Sequence, residues 1–243
     1  MAKLFLIPIP MGESDLQSVI PDNVLQTIKS VKIFIVENIR TTRRYLKSID
    51  KSINIDELSF FEINKRTNSQ ELHNFFVSNK KSDIGVVSEA GCPGIADPGA
   101  DVVKLAHKYN MQVVPMVGPS SILMALIASG MNGQNFAFNG YLPVKPAERI
   151  KKIKQLEQRS QNENQTQIFI ETPYRNMAMF NDLLKNCMPQ TRICIASDIS
   201  TGSEYIKTKT VAEWKKQTID LSKRPTVFLI HAESFVRKNK RNN

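Results

Sequence analysis

An α/β protein of two domains is what this sequence predicts, on three observations. Apolar runs of strand length alternate with helix-patterned segments along most of the chain. Several of these runs feed directly into Gly/Pro-rich turns that open a helix, twice within residues 84–121. The second of those turns, at Val117–Gly118, divides the 243 residues into two domain-sized halves. The expected architecture is a mostly parallel sheet flanked by helices in 1–117 and a more mixed one in 118–235. A basic tail, 236–243, is expected to be disordered.

The first strand, Lys3 to Pro8, runs into Pro8-Ile9-Pro10-Met11-Gly12. That turn lacks the G-x-G-x-x-G of a dinucleotide site, and its prolines stiffen the loop while removing donors. A helix follows from Pro21-Asp22 to Ser30, then a strand from Lys32 to Val36. Arg40 to Leu46 opens a short helix with Arg40, Arg43 and Arg44 inside five residues, Arg40 and Arg44 sharing a face. Guanidinium forks clamp phosphate, although the same pattern also describes a solvated helix end. Leu58 to Ile63 is strand-like, and Asn68 or Ser69 caps a helix whose Leu72, Phe75 and Phe76 form a core stripe.

Ile84 to Val87 is the next apolar strand, and the loop after it, Ser88 to Gly99, places three Gly and two Pro on twelve positions. A helix to about Tyr109 and a strand from Met111 to Val117 lead to Gly118-Pro119-Ser120-Ser121 and another helix. Turns at the carboxyl ends of such strands are where α/β sheets bind ligands, and helix starts offer backbone N–H groups to polar or anionic partners.

In the second half, the helix from Pro119 to Ser129 carries Ile122, Leu123, Leu126 and Ile127 and stops at Gly130. Asn135 to Leu142 alternates like a strand. Lys145 to Arg159 is a basic helix (Lys145, Arg149, Lys151, Lys152, Lys154, Arg159), either a second positive patch or a solvated face. A polar loop is expected at Gln161–Gln165. The strand Gln167 to Ile170 runs into Glu171-Thr172-Pro173-Tyr174-Arg175, where Thr172 is placed to cap and Pro173 suits the first helical position. Strands at Thr191–Ala196, Glu204–Lys209 and Pro225–His231, a turn at Gly202 and a helix around Glu213-Trp214 complete the chain.

Thirty-three Lys+Arg against 23 Asp+Glu give a net charge of +10, which suits a polyanionic partner such as nucleic acid or describes a generally basic surface. No segment has the order of a signal peptide, and no apolar run approaches the roughly 18 residues of a membrane span, so a cytoplasmic protein without a membrane partner is expected. Cys92, Cys187 and Cys194 form no C-x-x-C pair, and His73, His107 and His231 are scattered, so neither a disulfide framework nor a metal site is expected.

Together the loops resemble the tetrapyrrole methylase superfamily, and within it the ribosomal RNA small subunit methyltransferase I family. The family's opening T-P-I-G-N-type loop corresponds to Pro8-Ile9-Pro10-Met11-Gly12, largely altered. Its E-D-T-R-x-T-R-R-L-L corresponds to Glu37-Asn38-Ile39-Arg40-Thr41-Thr42-Arg43-Arg44-Tyr45-Leu46, keeping the glutamate and all three arginines. A Y-H-E-H-N-like turn matches Phe60–Asn64, and S-D-A-G-T-P-G-I-S-D-P-G matches Ser88–Gly99. V-P-x-P-G-P-S-A matches Val114–Ser121, F-x-G-F-L-P matches Phe138–Pro143, and F-Y-E-S-P-H-R matches Phe169–Arg175.

The resemblance implies a tetrapyrrole-methylase-like fold with S-adenosylmethionine in the cleft between two α/β domains, usually in a homodimer. It also implies methylation of a cytidine ribose 2′-hydroxyl in small-subunit ribosomal RNA. Carried over by position, cofactor contacts would come from Pro8, Ile9, Gly91, Cys92, Pro93, Ile95, Ser120 and Ser121, and from the strand ends Ile170, Glu171, Ala196 and Thr226. Glu37 and Glu62 are the candidate proton acceptors; Arg40, Arg43, Arg44 and Asn64 lie on the substrate side. Departures are Asn38 for the family's aspartate, Thr41 for a histidine, Glu89 for an aspartate, and Ala196-Ser197-Asp198-Ile199-Ser200 where the family has A-R-E-L-T. They keep three readings open: an RNA ribose methyltransferase, a methylase of a tetrapyrrole or other small acceptor, and a non-catalytic module that binds cofactor or RNA.

Overall fold

The computed structural model describes residues 2–13, 15–64 and 67–233. The tail from 236, expected to be disordered, lies outside them, as do Lys65 and Arg66. The chain forms two compact units, Met1–Ser120 and Ser121–Asn243.

The first unit is built on β1 (Lys3–Ile7), β2 (Ile33–Val36), β3 (Ser59–Glu62), β4 (Ile84–Val87) and β5 (Gln112–Pro115). They pair side by side in the order β3-β2-β4-β1-β5, every pair parallel. Between them run α1 (Leu16–Val19), α2 (Asp22–Ser30), α3 (Ile39–Ile49), α4 (Ser69–Asn79) and α5 (Gly99–Lys108). Each face of the sheet is buried under its own pair of longer helices. Phe5, Ile7, Phe34 and Val36 pack with Val24 and Ile28 of α2 and Leu46 of α3. Leu4, Ile35, Ile84 and Val86 pack with Phe76 of α4 and Val102 of α5. With both faces covered, the strands read as continuous apolar runs, which is why they were legible as buried strands.

The connections fix where a ligand can bind. The chain leaves β1 and β2 toward one face and leaves β4, which lies between them, toward the other. Crevices at the carboxyl ends of open parallel sheets occur at such reversals.

The second unit holds β6 (Phe136–Tyr141), β7 (Thr166–Glu171), β8 (Arg192–Ser197), β9 (Tyr205–Thr210) and β10 (Thr226–His231), in the order β6-β7-β10-β8-β9. Only β6 and β7 are parallel; β10 runs antiparallel to β7 and β8, and β8 to β9. Its helices are α6 (Ser121–Ser129), α7 (Pro146–Glu163), α8 (Asn176–Asn186) and α9 (Val211–Trp214). Ile153 and Leu156 of α7, Met179 and Leu183 of α8 and Trp214 of α9 cover Phe169, Phe228 and Ile195 on one face. The helix α6 packs on the other.

Two local expectations need correction. The residues 161–163, expected in a loop, are the last turn of α7, which ends only where Asn164 turns left-handed at φ 49°. Polar side chains are at home on an exposed helix face, so the stop signal is the left-handed cap and not the polarity. Thr172 does not cap: its side chain makes no such bond, and Pro173 begins a short 3₁₀ turn. Its own N–H is taken instead by Glu171 Oε1 at 2.6 Å.

Candidate active site

The carboxyl edge of the first sheet gathers most of the candidate residues of that unit. Ile9, just past β1, and Gly91, just past β4, exchange reciprocal backbone hydrogen bonds of 3.0 Å. Gly91 has φ +70°, and a Cβ there would press on the Pro119 carbonyl at 3.2 Å. The loop after β5 closes in as well: a Cβ on Gly118 would sit 2.2 Å from Pro8 Cβ, so only glycine admits this approach. The Cys92 thiol points to the Gly118 and Pro119 carbonyls at 3.7 and 3.4 Å, and burial raises its pKa. Pro8, Ile9, Gly91 and Cys92 are thus held together by backbone contacts and close packing; Pro93 is buried, while Ile95 stands exposed.

The helix start at α5 differs from expectation. The Asp97 carboxylate accepts from Gly94 N at 2.9 Å, Ile95 N at 3.2 Å and Gly99 N at 2.7 Å. The anion that this start was expected to receive from a ligand is therefore supplied by the loop's own aspartate. The signal was present in the sequence as an aspartate two residues before the helix.

Glu37 follows β2, across from β4. Its Oε2 accepts the Glu89 N–H at 2.8 Å. Burial, the largest influence, pushes its carboxyl above the usual glutamate range; the Glu89 N–H opposes that, and the Asp97 and Glu89 charges add to it. Glu62 at the end of β3 accepts the Ile39 N–H through Oε2 at 3.1 Å, at the start of α3. Asn38 caps the same helix through Arg40 N and Thr41 N at 2.9 and 3.1 Å. The aspartate-to-asparagine departure therefore leaves the cap intact.

That doubly anchored helix presents the arginines. Arg40, Arg43 and Arg44 are exposed, Arg43 lies over the Phe60 ring at 5.3 Å, and none of the three has an ion pair among the described residues. Asn64 is exposed just beyond β3. Tyr45, whose role the sequence did not disclose, is buried and donates its hydroxyl to the Pro8 carbonyl at 2.9 Å.

In the second unit Glu171, Thr226 and Ser197 lie side by side at one edge of the sheet. Glu171 is 4% exposed; Oε1 binds Thr172 N and the Arg175 guanidinium, while Oε2 has no partner among the described residues. The Thr226 hydroxyl is committed to Arg224 O at 2.9 Å and Ser197 Oγ at 2.8 Å. Ile170 is half-buried and Ala196 fully buried; Ser121, half-buried, begins α6, and Ser120 precedes it in the first unit. The basic helix α7 is a weaker positive patch than its sequence implied. Arg149 is buried against Asp182 at 2.6 Å, Arg159 pairs with Glu163 at 3.1 Å and Lys145 with Glu148 at 3.4 Å.

No family model matches the chain. Among curated proteins, the ribosomal RNA small subunit methyltransferase I of Buchnera aphidicola subsp. Schizaphis graminum is 30% identical over 231 residues, 93% of this chain and 77% of that protein. The chain belongs to the ribosomal RNA small subunit methyltransferase I family. The Vibrio cholerae member is 29% identical over 94% of this chain and 76% of its own length. Among solved structures, the methyltransferase CobJ matches at a TM-score of 0.62 with 15% identity, covering 95% of this chain and 94% of CobJ. Diphthine synthase matches at 0.63 with 13% identity, covering 95% and 90%. These likenesses establish the tetrapyrrole methylase fold, and membership of the methyltransferase I family makes the chain a methyltransferase. Among the described residues no group of His, Cys, Asp or Glu side chains could hold a metal, and no helix is long and apolar enough to cross a membrane.

Proposed function

We propose that this chain transfers a methyl group from S-adenosylmethionine to the ribose 2′-hydroxyl of a cytidine in small-subunit ribosomal RNA, acting as a cytoplasmic homodimer. The observation that carries the reading is a half-buried carboxylate, Glu37, followed two residues later by a helix with three exposed arginines that have no ion pair among the described residues. The names of the curated relatives, ribosomal RNA methyltransferases, support RNA as the acceptor.

The residues suit the cofactor. Oε2 of Glu171 is a buried acceptor with no partner among the described residues, which an adenine amino group or ribose hydroxyl would satisfy. The positions that match the family's motifs, Pro8, Ile9, Gly91, Cys92, Pro93, Ile95, Ser120, Ser121, Ile170, Glu171, Ala196 and Thr226, would hold it. When bound, S-adenosylmethionine supplies an electrophilic methyl carbon on a sulfonium centre.

A ribose hydroxyl is a weak nucleophile, so a base must take its proton as the new bond forms. Glu37 is our candidate: Oε2 is engaged by the Glu89 N–H, leaving Oε1 to receive the proton. Its raised pKa brings it nearer the pKa of the group it must deprotonate. Glu62 is tied to the start of α3 and serves to orient the arginine helix. Arg40, Arg43 and Arg44 would hold backbone phosphates and fix the ribose against the reacting carbon.

The test is transfer of a labelled methyl group to small ribosomal subunits that lack this modification, followed by mapping of the modified nucleotide. Label on a cytidine ribose is expected. Label on a base, or on an added porphyrinoid but not on RNA, would refute the proposal; cofactor binding without any transfer would refute catalysis.

A further inference from the structure

Three of the chain's five tyrosines collect at one edge of the second sheet, the edge that carries Glu171 and Thr226. Tyr141 ends β6 and lies opposite Ile170 of β7. Tyr174 follows Glu171 by three residues in the 3₁₀ turn. Tyr205 begins β9 and lies opposite Ser197, which in turn lies opposite Thr226.

Two of these rings are left in water. Tyr141 is 56% exposed and Tyr174 85% exposed, although large aromatic side chains are ordinarily drawn into cores or interfaces. Among the described residues neither stacks on another ring or on a cation. Tyr205 is half-buried and backed by the Arg224 guanidinium, 5.9 Å from its centroid. Arg224 is itself fixed, donating to Asp198 Oδ2 and to the Ser203 carbonyl at 2.6 Å each. The Arg224 charge is met by Asp198, but Lys223 is exposed and has no ion pair among the described residues, and its N–H bonds the Pro173 carbonyl at 3.3 Å, setting an available lysine beside the Tyr174 turn. Exposed aromatic faces beside an available cation are the equipment of single-stranded nucleic-acid binding, in which bases stack and the phosphates meet positive charge.

We infer that Tyr141, Tyr174 and the arginine-backed Tyr205 form a stacking platform for unpaired bases of the RNA flanking the methylated nucleotide. The inference rests on the RNA reading above and deepens it: the arginines of α3 contact phosphate, and this edge contacts bases. An unpaired RNA segment is favoured over a second copy of the chain because the exposed rings are aromatic, not aliphatic, with Lys223 beside them, and the chain carries a net +10 charge.

The experiment uses the full chain and purified small-subunit ribosomal RNA, titrated by filter binding at several salt concentrations. Tyr174→Ala and Tyr141→Ala are each expected to weaken binding on the order of tenfold, whereas Tyr174→Phe and Tyr141→Phe stay within about twofold of wild type. The slope of log affinity against log salt is expected to stay unchanged in all four, since stacking releases no counterions. Unchanged RNA affinity in both alanine variants would overturn the inference, as would a shallower salt slope, which would mean a phosphate contact. Dissociation of the alanine variants to smaller species in sedimentation would overturn it in favour of an interface between copies. If the wild type itself fails to bind the RNA, the RNA reading falls, and the platform with it.

Discussion

Glu37 combines two properties that pull against each other. Its position beyond β2 desolvates it, and the Asp97 and Glu89 charges add to the rise in its pKa. A glutamate whose folded-state pKa lies above its unfolded value destabilises the fold as pH rises through that pKa. At neutral pH Glu37→Gln is therefore expected to raise the melting temperature slightly while lowering kcat by roughly 10² to 10⁴-fold. The acid limb of the kcat/KM profile is expected above the ordinary glutamate range, and Asp97→Asn, which keeps an acceptor oxygen in the loop, is expected to move it down. A limb unmoved by Asp97→Asn, or activity retained in Glu37→Gln, would assign the proton to another group. Tyr45 gives a second test at this scale. Tyr45→Phe leaves the ring but deserts the Pro8 carbonyl, at an expected cost of about 1 kcal/mol of unfolding free energy in denaturant titration. Of these residues, Glu37 was legible from its place in a motif. Asp97 and Tyr45 were not assigned roles: the Asp97 cap is a local signal that the resemblance to a ligand-binding turn obscured, whereas a hydroxyl reaching 37 positions back is a tertiary fact.

Among the elements, strands surfaced readily because both faces of the first sheet are buried, so β2 and β4 are uninterrupted apolar runs. In the second sheet, Gln165, Thr166 and Gln167 are buried although polar, joined by Gln167 Nε2 to Gln165 Oε1 at 2.8 Å and Gln165 Nε2 to Asn135 Oδ1 at 2.7 Å. Composition alone could not show that those amides would satisfy each other, and the start of β7 was misplaced for that reason. The same limit applies to α7, whose basic residues look equivalent in sequence. Arg149 is buried on Asp182 and also donates to the Val144 carbonyl at 3.1 Å, whereas Lys151 and Lys154 are exposed. Arg149→Met leaves the Asp182 carboxylate without its cation and is expected to cost about 3–5 kcal/mol of stability. Lys151→Ala and Lys154→Ala are expected to change stability by less than about 0.5 kcal/mol. Chemical denaturation of the three variants checks this, and equal effects would contradict the placement of Arg149.

At the scale of the whole molecule the question is how a net charge of +10 is deployed. The salt bridges of α7 remove several of its cations from service, while Arg40, Arg43 and Arg44 stand exposed and without ion pairs among the described residues. If phosphate binding belongs to those three, each should contribute its own share of counterion release. Replacing any one with alanine is expected to weaken RNA binding and to reduce the magnitude of the log–log salt slope by about 1, with the triple variant losing about 3. Cofactor affinity, measured calorimetrically with S-adenosylhomocysteine, is expected to be unchanged, because the loops around Ile9 and Gly91 hold each other through their own backbone bonds. Arg159→Ala, which removes a cation already paired with Glu163, is expected to leave the slope as it was. Loss of cofactor binding on removing Arg43 would mean that the cluster shapes the donor site. An equal drop in slope for Arg159 would mean that the RNA responds to total charge and not to the helix that begins beside Glu37.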